Sequence, residues 1–579
     1  MPNFMNNTSP RPYGWPAFAL LVLLGLSAPY AIAATSDPAD SSATGAFATE
    51  AETILTPYQI YLSEVSPDPR DIAGPYEEDL VHQTVIEFYE ARNHQPAWIK
   101  DGKLQPNAQD LLDTLPYAPT EGLRTEDYRP EELAKLLDAF RASRPTETDI
   151  MAMDYALSQT YFVVAAHMTR GRVDTSSVRL PWYSTPRPMP SHEVLHTALN
   201  RRRVPQSLGE LAPDRKEYQD LKKNLERYRN LAAGGGWVEV PGGPTLRPDK
   251  SPDSLRVATM EKRLHQEGFL SAVAGDGVLS ESLQEAVKRF QESRGLLVDG
   301  QAGRVSIEEM NVSVEDRIQQ IEMNMERWRW MPEDFGERHL RVNIPAFKLE
   351  LWDGGDAPDT TIRVVVGRKK WETPVFSDSM RYVVVNPYWR VPSTVAGKTI
   401  LTKILEDSTY LASSNFEIFT DWGRDAEKVD PATVDWESIS ATDFPYKLVQ
   451  RPGPSNALGS VKFLFPNKFA IYLHDTPSSS AFKRWTRGYS HGCVRVEDPM
   501  RLAEFAFAAD TLMTPEKFSK AVKSRRHRTF TLPEPVPVHL IYFTVEEQDG
   551  EVRFYRDIYR VDRDLARAIE KRRPLPKSE

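Results

Sequence analysis

Residues 471–499 read IYLHDTPSSSAFKRWTRGYSHGCVRVEDP and hold the chain's one cysteine, Cys493. A cysteine nucleophile needs a base or cation to help form its thiolate, backbone N–H groups to receive an oxyanion, and a turn tight enough to present the sulfur. This stretch offers all three. His474 closes an apolar strand and can turn its imidazole toward the neighbouring loop. Gly492 lets the backbone bend beside the thiol, so that the N–H groups of Gly492 and Cys493 can converge on one oxygen. Pro499 opens an apolar-periodic run through Leu502, Phe505 and Ala506, which predicts a helix just after the loop whose N-terminus favours an anion. Two plainer readings compete. His474, His491 and Cys493 are ligand types that zinc accepts, but no second cysteine and no H-E-x-x-H helix completes a shell, so no metal is expected. A buried, inert thiol packed as a small hydrophobe is the other.

A lone cysteine forbids an intramolecular disulfide. Arg11, the apolar run Trp15–Leu26 and Ala31-Ile32-Ala33 read as a secretory signal peptide over 1–33, with an uncleaved inner-membrane anchor as the alternative. The run is shorter than the ~20 residues needed to span a bilayer, so the mature chain is expected to be soluble. A thiol kept free in an exported protein is exposed to oxidation, which favours a reactive role.

Around the cysteine the chain is β-like. Leu340–Ile344, Thr361–Val366, Tyr382–Val385 and Phe469–Leu473 are rich in Val, Ile and aromatics. An acidic, polar stretch from about 400 to 444, with Trp422 and Trp436, interrupts them and reads as an inserted cap with exposed aromatics. Upstream the character is helical. Ile318, Ile321, Met325 and Trp328 form a stripe read as a linker helix over 314–338. Leu283, Ala286, Val287 and Phe290 mark one helix face in a compact unit over 250–313. Val81, Val85 and Phe88, then Leu111, Leu112 and Leu115, then Tyr155–Met168 ending near Gly171 place helices in 55–249. His82, His94 and His167 are scattered singly there and read as ordinary surface or core histidines. Residues 34–54 read as a flexible spacer and 546–579 as a C-terminal extension.

At 579 residues and 65.8 kDa the chain exceeds one core, and 40% hydrophobic with 27% charged residues fits ordinary globular domains. A net charge of −10 argues against a general nucleic-acid binder.

The segment around Cys493 resembles the L,D-transpeptidase (YkuD) family, whose signature is a His, a spacer of about 14 to 17 residues, then Ser/Thr-His-Gly-Cys. Here 15 residues, Asp475 to Tyr489, separate His474 from Ser490. Thr373-Pro374-Val375-Phe376, Asn386-Pro387-Tyr388-Trp389-Arg390-Val391-Pro392 and Asn456-Ala457-Leu458-Gly459 follow the family's order. AVKRFQESRGLLVDGQAG with Met310-Asn311 resembles a three-helix peptidoglycan-binding domain, departing from its pattern at Gln301 and Ser306. The whole is similar to the large, capped, Gram-negative subfamily.

The resemblance implies a multidomain α+β architecture, with a mostly β catalytic domain over 339–545 behind a helical scaffold and the peptidoglycan-binding-like unit. It implies Cys493 as acylated nucleophile and His474 as general base and acid. Ser490, His491 and Gly492 would shape the oxyanion loop, Arg495 would fix that loop or meet a substrate carboxylate, and Tyr472 and Trp389 would bind substrate. The implied reaction is a periplasmic 3→3 cross-linking of peptidoglycan tetrapeptide stems, donor and acceptor, through a thioester. No cofactor is needed, carbapenems should acylate the same thiol, and the cell-wall synthesis machinery is a candidate further partner. Hydrolysis, lipoprotein attachment to the wall by the same site, and a non-catalytic wall-binding scaffold are the alternatives.

Overall fold

The computed structural model describes residues 75–571, apart from 176–177, 179, 181, 184–186 and 249–252. The expected signal peptide and spacer lie outside the described residues. The described residues form two compact units, one built from 75–174, 188–214 and 569–571, the other from those within 175–187 and 215–568.

The first unit is helical: α1 (Pro75–Glu90), α2 (Pro106–Thr114), α3 (Pro130–Ala142), α4 (Glu147–Arg170), α5 (His192–Arg201) and α6 (Val204–Gly209). α4 starts at a capping box between Thr146 and Asp149 and stops at Gly171, whose φ of 83° suits a residue without a side chain. Its buried Asp154 accepts hydrogen bonds from Tyr89 Oη, Ala97 N and Trp98 N at 2.7–2.8 Å, which pins the turn after α1. His82 meets the Tyr155 hydroxyl and His167 that of Tyr128, both as packing histidines.

The second unit starts with α7 (Lys216–Ala233), α8 (Ser254–Glu267), α9 (Glu281–Ser293), α10 (Arg304–Met310) and α11 (Val314–Trp330). Val257, Met260 and Leu264 of α8 pack on Leu283, Ala286, Val287 and Phe290 of α9 and on Ile307 and Met310 of α10. Helix α11 is no mere linker. Its apolar stripe is buried as expected, but Asn324, Glu326, Arg327 and Arg329 are buried too. Their partners come from far along the chain: Asn324 exchanges hydrogen bonds with Thr544, and Arg327 pairs with Asp562 at 2.6 Å. The residues expected as an extension are therefore structural. They form β14 (Val545–Gln548), β15 (Glu551–Phe554) and α14 (Val561–Lys571), reached below.

The other strands downstream of α11 are β1 (Arg338–Asn343), β2 (Lys348–Asp353), β3 (Thr360–Gly367), β4 (Val375–Val385), β5 (Trp389–Arg390), β6 (Phe416–Phe419), β7 (Lys428–Val429), β8 (Lys447–Gln450), β9 (Val461–Leu464), β10 (Leu473–His474), β11 (Gly488–Ser490), β12 (Val494–Val496) and β13 (Arg528–Ile541). Helices α12 (Pro499–Ala506) and α13 (Pro515–Lys523) lie between β12 and β13. Hydrogen bonding runs β9-β10-β12-β3-β2-β1-β13-β4, and β4 pairs again with β9. The sheet thus closes on itself and leaves no free edge along that circuit. Buried Val342, Val364, Val366, Val383, Val385, Phe463 and Val538 line it.

The cap is a small fold of its own. β7-β6-β8-β5 make a second sheet, and a continuous helical stretch, Ser393–Val395, Ala396–Ile400 and Leu401–Glu406, lies against it. Val391, Ile400, Leu401, Ile404, Phe416, Ile418, Phe444 and Leu448 are buried together there. Trp422 is 51% exposed, as expected. Trp436 is not an exposed aromatic: it packs on this core, stacks with Phe444 and donates Nε1–H to Pro431 O.

Candidate active site

Cys493 ends the turn that enters β12. Ser490 Oγ donates to the Cys493 carbonyl at 2.6 Å and accepts from Gly492 N at 3.0 Å, so one buried hydroxyl locks the loop. Gly492 has φ 113°, and a Cβ there would press on Ile471 at 3.3 Å, which explains a glycine at this position. The Gly492 N–H is thus committed to Ser490 and is not one of a free converging pair. Thr373 Oγ1 donates to Gly492 O at 2.7 Å and accepts from Gly367 N, tying the loop to the end of β3.

The strand expected over Phe469–Leu473 shrinks to Leu473–His474. Asn467 is the cause. Its Oδ1 accepts from Phe469 N and Ile471 N and its Nδ2 donates to Phe465 O and Ile471 O, so the side chain replaces the ladder. Ala470 is left at φ 54°, a conformation unusual for a residue with a side chain. Its carbonyl receives the Cys493 thiol at 3.8 Å.

His474 is buried, and its Nδ1 meets the Asp475 carbonyl at 2.5 Å. A carbonyl only accepts, so Nδ1 carries the proton and Nε2 holds the free lone pair. The orienting group is thus a backbone oxygen, while the Asp475 carboxylate is spent on the Ser460 N–H and hydroxyl. Gly459, at φ 60°, makes room: a Cβ there would lie 2.3 Å from the Asp475 carboxyl carbon. No hydrogen bond joins His474 to Cys493 among the described residues.

Burial pushes the Cys493 thiol up, opposed by Tyr472, Lys462 and Arg495. Burial, then Arg495, hold the His474 imidazole down, to about 3. Both shifts favour the neutral thiol and neutral imidazole over an ion pair. Alkylation of Cys493 by iodoacetamide, which needs the thiolate, should therefore keep climbing from pH 7 to pH 9. A rate already level by pH 6 would establish a preformed ion pair instead.

His491 takes another part. Its Nε2 lies 3.0 Å from Arg368 Nη2 and 3.2 Å from Thr399 Oγ1, and its ring lies 4.1 Å from that of Trp371. Arginine only donates, so Nε2 is an acceptor and unprotonated. Burial and Arg368 hold this imidazole down to about 4. Thr399 sits in the π-helical segment Ala396–Ile400, so the cap touches the loop directly. Trp389 gives a second cap contact, through its hydrogen bond to the Tyr472 side chain. Tyr472 also stands beside the thiol, under Lys462 Nζ at 3.7 Å from its ring centroid.

The structure therefore gathers Cys493, His474, Ser490, His491, Gly492, Arg495, Tyr472 and Trp389 in one place. Lys462, Arg368, Thr399, Thr373 and Ala470 join them and were not singled out from the sequence. They lie 23 to 125 residues from Cys493, and only strand pairing and loop closure bring them near. Among the described residues no group of three His, Cys, Asp or Glu side chains converges as a metal site, and no helix is long and apolar enough to cross a membrane.

Comparison with known proteins places three domains along the chain. Residues 337–513 match the L,D-transpeptidase catalytic domain, YkuD; residues 83–225 match a scaffold domain; residues 253–310 match the "Putative peptidoglycan binding domain". A curated Haemophilus influenzae protein named "Putative L,D-transpeptidase" is 37% identical over 247 residues, 43% of this chain. The chain spans about half the length of that relative, 49%. Residues 337–513 thus carry an L,D-transpeptidase catalytic domain of the YkuD family, behind a scaffold domain and a peptidoglycan-binding domain.

Proposed function

We propose that this protein is a periplasmic L,D-transpeptidase that forms 3→3 cross-links between peptidoglycan stems through a thioester on Cys493. The observation that carries the reading is the tautomer of His474, whose Nδ1–H is spent on Asp475 O and whose Nε2 is left as a base on the strand paired with the one that follows Cys493. Sγ attacks the carbonyl between diaminopimelate and D-Ala of a tetrapeptide stem while its proton passes to His474 Nε2. The C–N bond breaks, His474 returns the proton to the departing amine, and D-Ala leaves. The side-chain amine of an acceptor stem then attacks the thioester, His474 takes its proton, and the thiol is restored. With Gly492 N–H held by Ser490, the Cys493 N–H is the backbone donor for the oxyanion. Tyr472, Trp389 and Arg495 line the stem's path. Because burial disfavours both charges, proton transfer accompanies attack rather than preceding it. Export rests on the N-terminal apolar run, and an association with the wall-synthesis machinery on the peptidoglycan-binding domain.

Incubating the purified protein with disaccharide-tetrapeptides and weighing the products tests this. Dimers that have lost one D-Ala are expected, together with a single carbapenem adduct that vanishes in Cys493→Ala. Tripeptide alone would mean hydrolysis, a stem joined to a lipoprotein would mean attachment, and no turnover would sink the reading. Deleting the cap over 400–444 should depress cross-linking more than carbapenem acylation, since a small drug needs the thiol but not the long groove. Equal losses would mark the cap as structural support only.

A further inference from the structure

Three strands set three side chains in one row across the sheet. Lys462 of β9 is the register partner of His474 of β10, and His474 is the partner of Arg495 of β12. Residues paired in this way share a face, with Cβ atoms about 5 Å apart. The imidazole is thus flanked on both sides by a cation. Neither cation has a carboxylate. Lys462 is half-buried over the Tyr472 ring and makes no ion pair among the described residues, and Arg495 Nε is buried with no hydrogen-bond partner. Apart from the Cys493 thiolate itself, which acts on Lys462 and Arg495, the charged side chains acting on Cys493, His474, His491 and Lys462 are Lys462, Arg495, Arg368 and Arg390, all positive.

The same unit treats other interior cations differently. Arg327 meets Asp562, Arg263 meets Glu267, and Lys348 meets both Glu350 and Glu546. Withholding an anion from a partly buried cation is costly, and such a cost points to a partner that arrives from outside. The row also opposes the proposed chemistry as it stands, because two cations disfavour an imidazolium between them.

We propose that Lys462 and Arg495 form a carboxylate clamp for the donor stem, and that the carboxylate they take is the free one on the residue that leaves upon acylation. This rests on the transpeptidase reading. That carboxylate lies one residue, about 3.8 Å along the chain, beyond the scissile carbonyl, which suits cations beside the base rather than at a distant subsite. Seating it neutralises the flanking charge, so His474 can accept the thiol proton only when a donor with a free C-terminus is bound. The clamp selects donors that end at the leaving residue, and it acts on turnover as well as on binding.

Two comparisons test it. The first needs no stem peptide: alkylation of Cys493 at pH 9 by iodoacetate, which carries a carboxylate, against neutral iodoacetamide. The protein should favour iodoacetate, against the reagents' order with simple thiols, and Lys462→Met should lower that preference about 10-fold while Lys462→Arg keeps most of it. The second compares a tetrapeptide donor with its C-terminal carboxamide. The acid should exceed the amide in kcat/KM by about 10- to 100-fold, part of it in kcat, and the ratio should fall toward one in Lys462→Met. Each ratio is taken within one protein sample, so loss of folded material cancels. Equal losses on acid and amide, as from a lysine that only tunes the thiol, would overturn the clamp, as would equal use of both donors by the unaltered protein. No turnover of either donor with the iodoacetate preference intact would keep the cationic clamp and sink the transpeptidase reading.

Discussion

His474→Ala is expected to reduce cross-linking of tetrapeptide stems by about 10²- to 10⁴-fold, the usual cost of removing a general base. On the proposed reading that role falls to this histidine. Its Nδ1–H is fixed by Asp475 O, and its Nε2 is free. His491 has the opposite disposition, with Nε2 already accepting from Arg368 at 3.0 Å and close to Thr399. His491→Ala should leave a measurable residual rate, because what it removes is a brace between the loop and the cap. Initial rates of dimer formation for the two variants decide the matter. If His491→Ala proved the more damaging, the base would have to be His491 and its Arg368 contact would have to break during turnover. Loss of His474 should also abolish acylation by a stem more completely than alkylation by iodoacetamide at high pH, since a thiolate made by bulk base no longer needs the imidazole.

Glu267→Gln should destabilise the second unit by about 3 to 5 kcal/mol, the range for a buried charge stripped of its counter-ion. Glu267 is fully enclosed at the end of α8. It accepts from Arg263 at 2.9 Å, from Arg294, and from the Tyr228 hydroxyl at 2.6 Å. Arg294 in turn lies over Phe290 and Phe554, so the carboxylate unites α7, α8, the end of α9 and β15. Glutamine keeps the shape but leaves two guanidinium groups facing a neutral amide. As a control, Glu308→Gln, which breaks an exposed pair with Arg304, should cost at most about 1 kcal/mol. Urea unfolding followed by tryptophan fluorescence measures both.

The same site gives a pH dependence. Although burial alone would raise it, Arg294 and Arg263 hold the Glu267 carboxyl down to about 2, below its unfolded value. The folded state therefore releases this proton more readily. The stabilisation is complete above the ordinary carboxylate range and is lost as pH falls from about 4.3 toward 2. In Glu267→Gln that part of the acid transition should disappear. A variant as stable as the parent, with an unchanged acid limb, would mean that water reaches the cluster and screens it.

The chemistry was legible in the sequence because it is local. A lone thiol in Ser490-His491-Gly492-Cys493, a histidine 15 residues before that tetrad, and a proline-opened helix after it lie within 30 residues. Their short separation makes the set recognisable, and the pairing of β10 with β12 holds it together. The helical elements upstream were legible for the same reason, since the period of Leu283, Ala286, Val287 and Phe290 and the stop at Gly171 are properties of short windows. Pattern failed where a side chain overrode it. Phe469–Leu473 has strand composition, but Asn467 satisfies its backbone from the side and turns it into the loop that receives the thiol.

What only the tertiary structure decided is pairing between distant segments. Helix α11 read as a linker until Thr544 and Asp562 supplied partners for its polar residues, and Trp436 read as exposed until Phe444 folded over it. Lys462 was not singled out from the sequence, and Arg495 was expected at the site only through the family resemblance. Strand register places them on either side of His474. Register is set by the closure of the whole sheet and by which face of each strand is buried, which are sums over many residues far apart in sequence. The sequence by itself therefore marked the thiol and the imidazole of the candidate site, and the closed sheet decided which charges surround them.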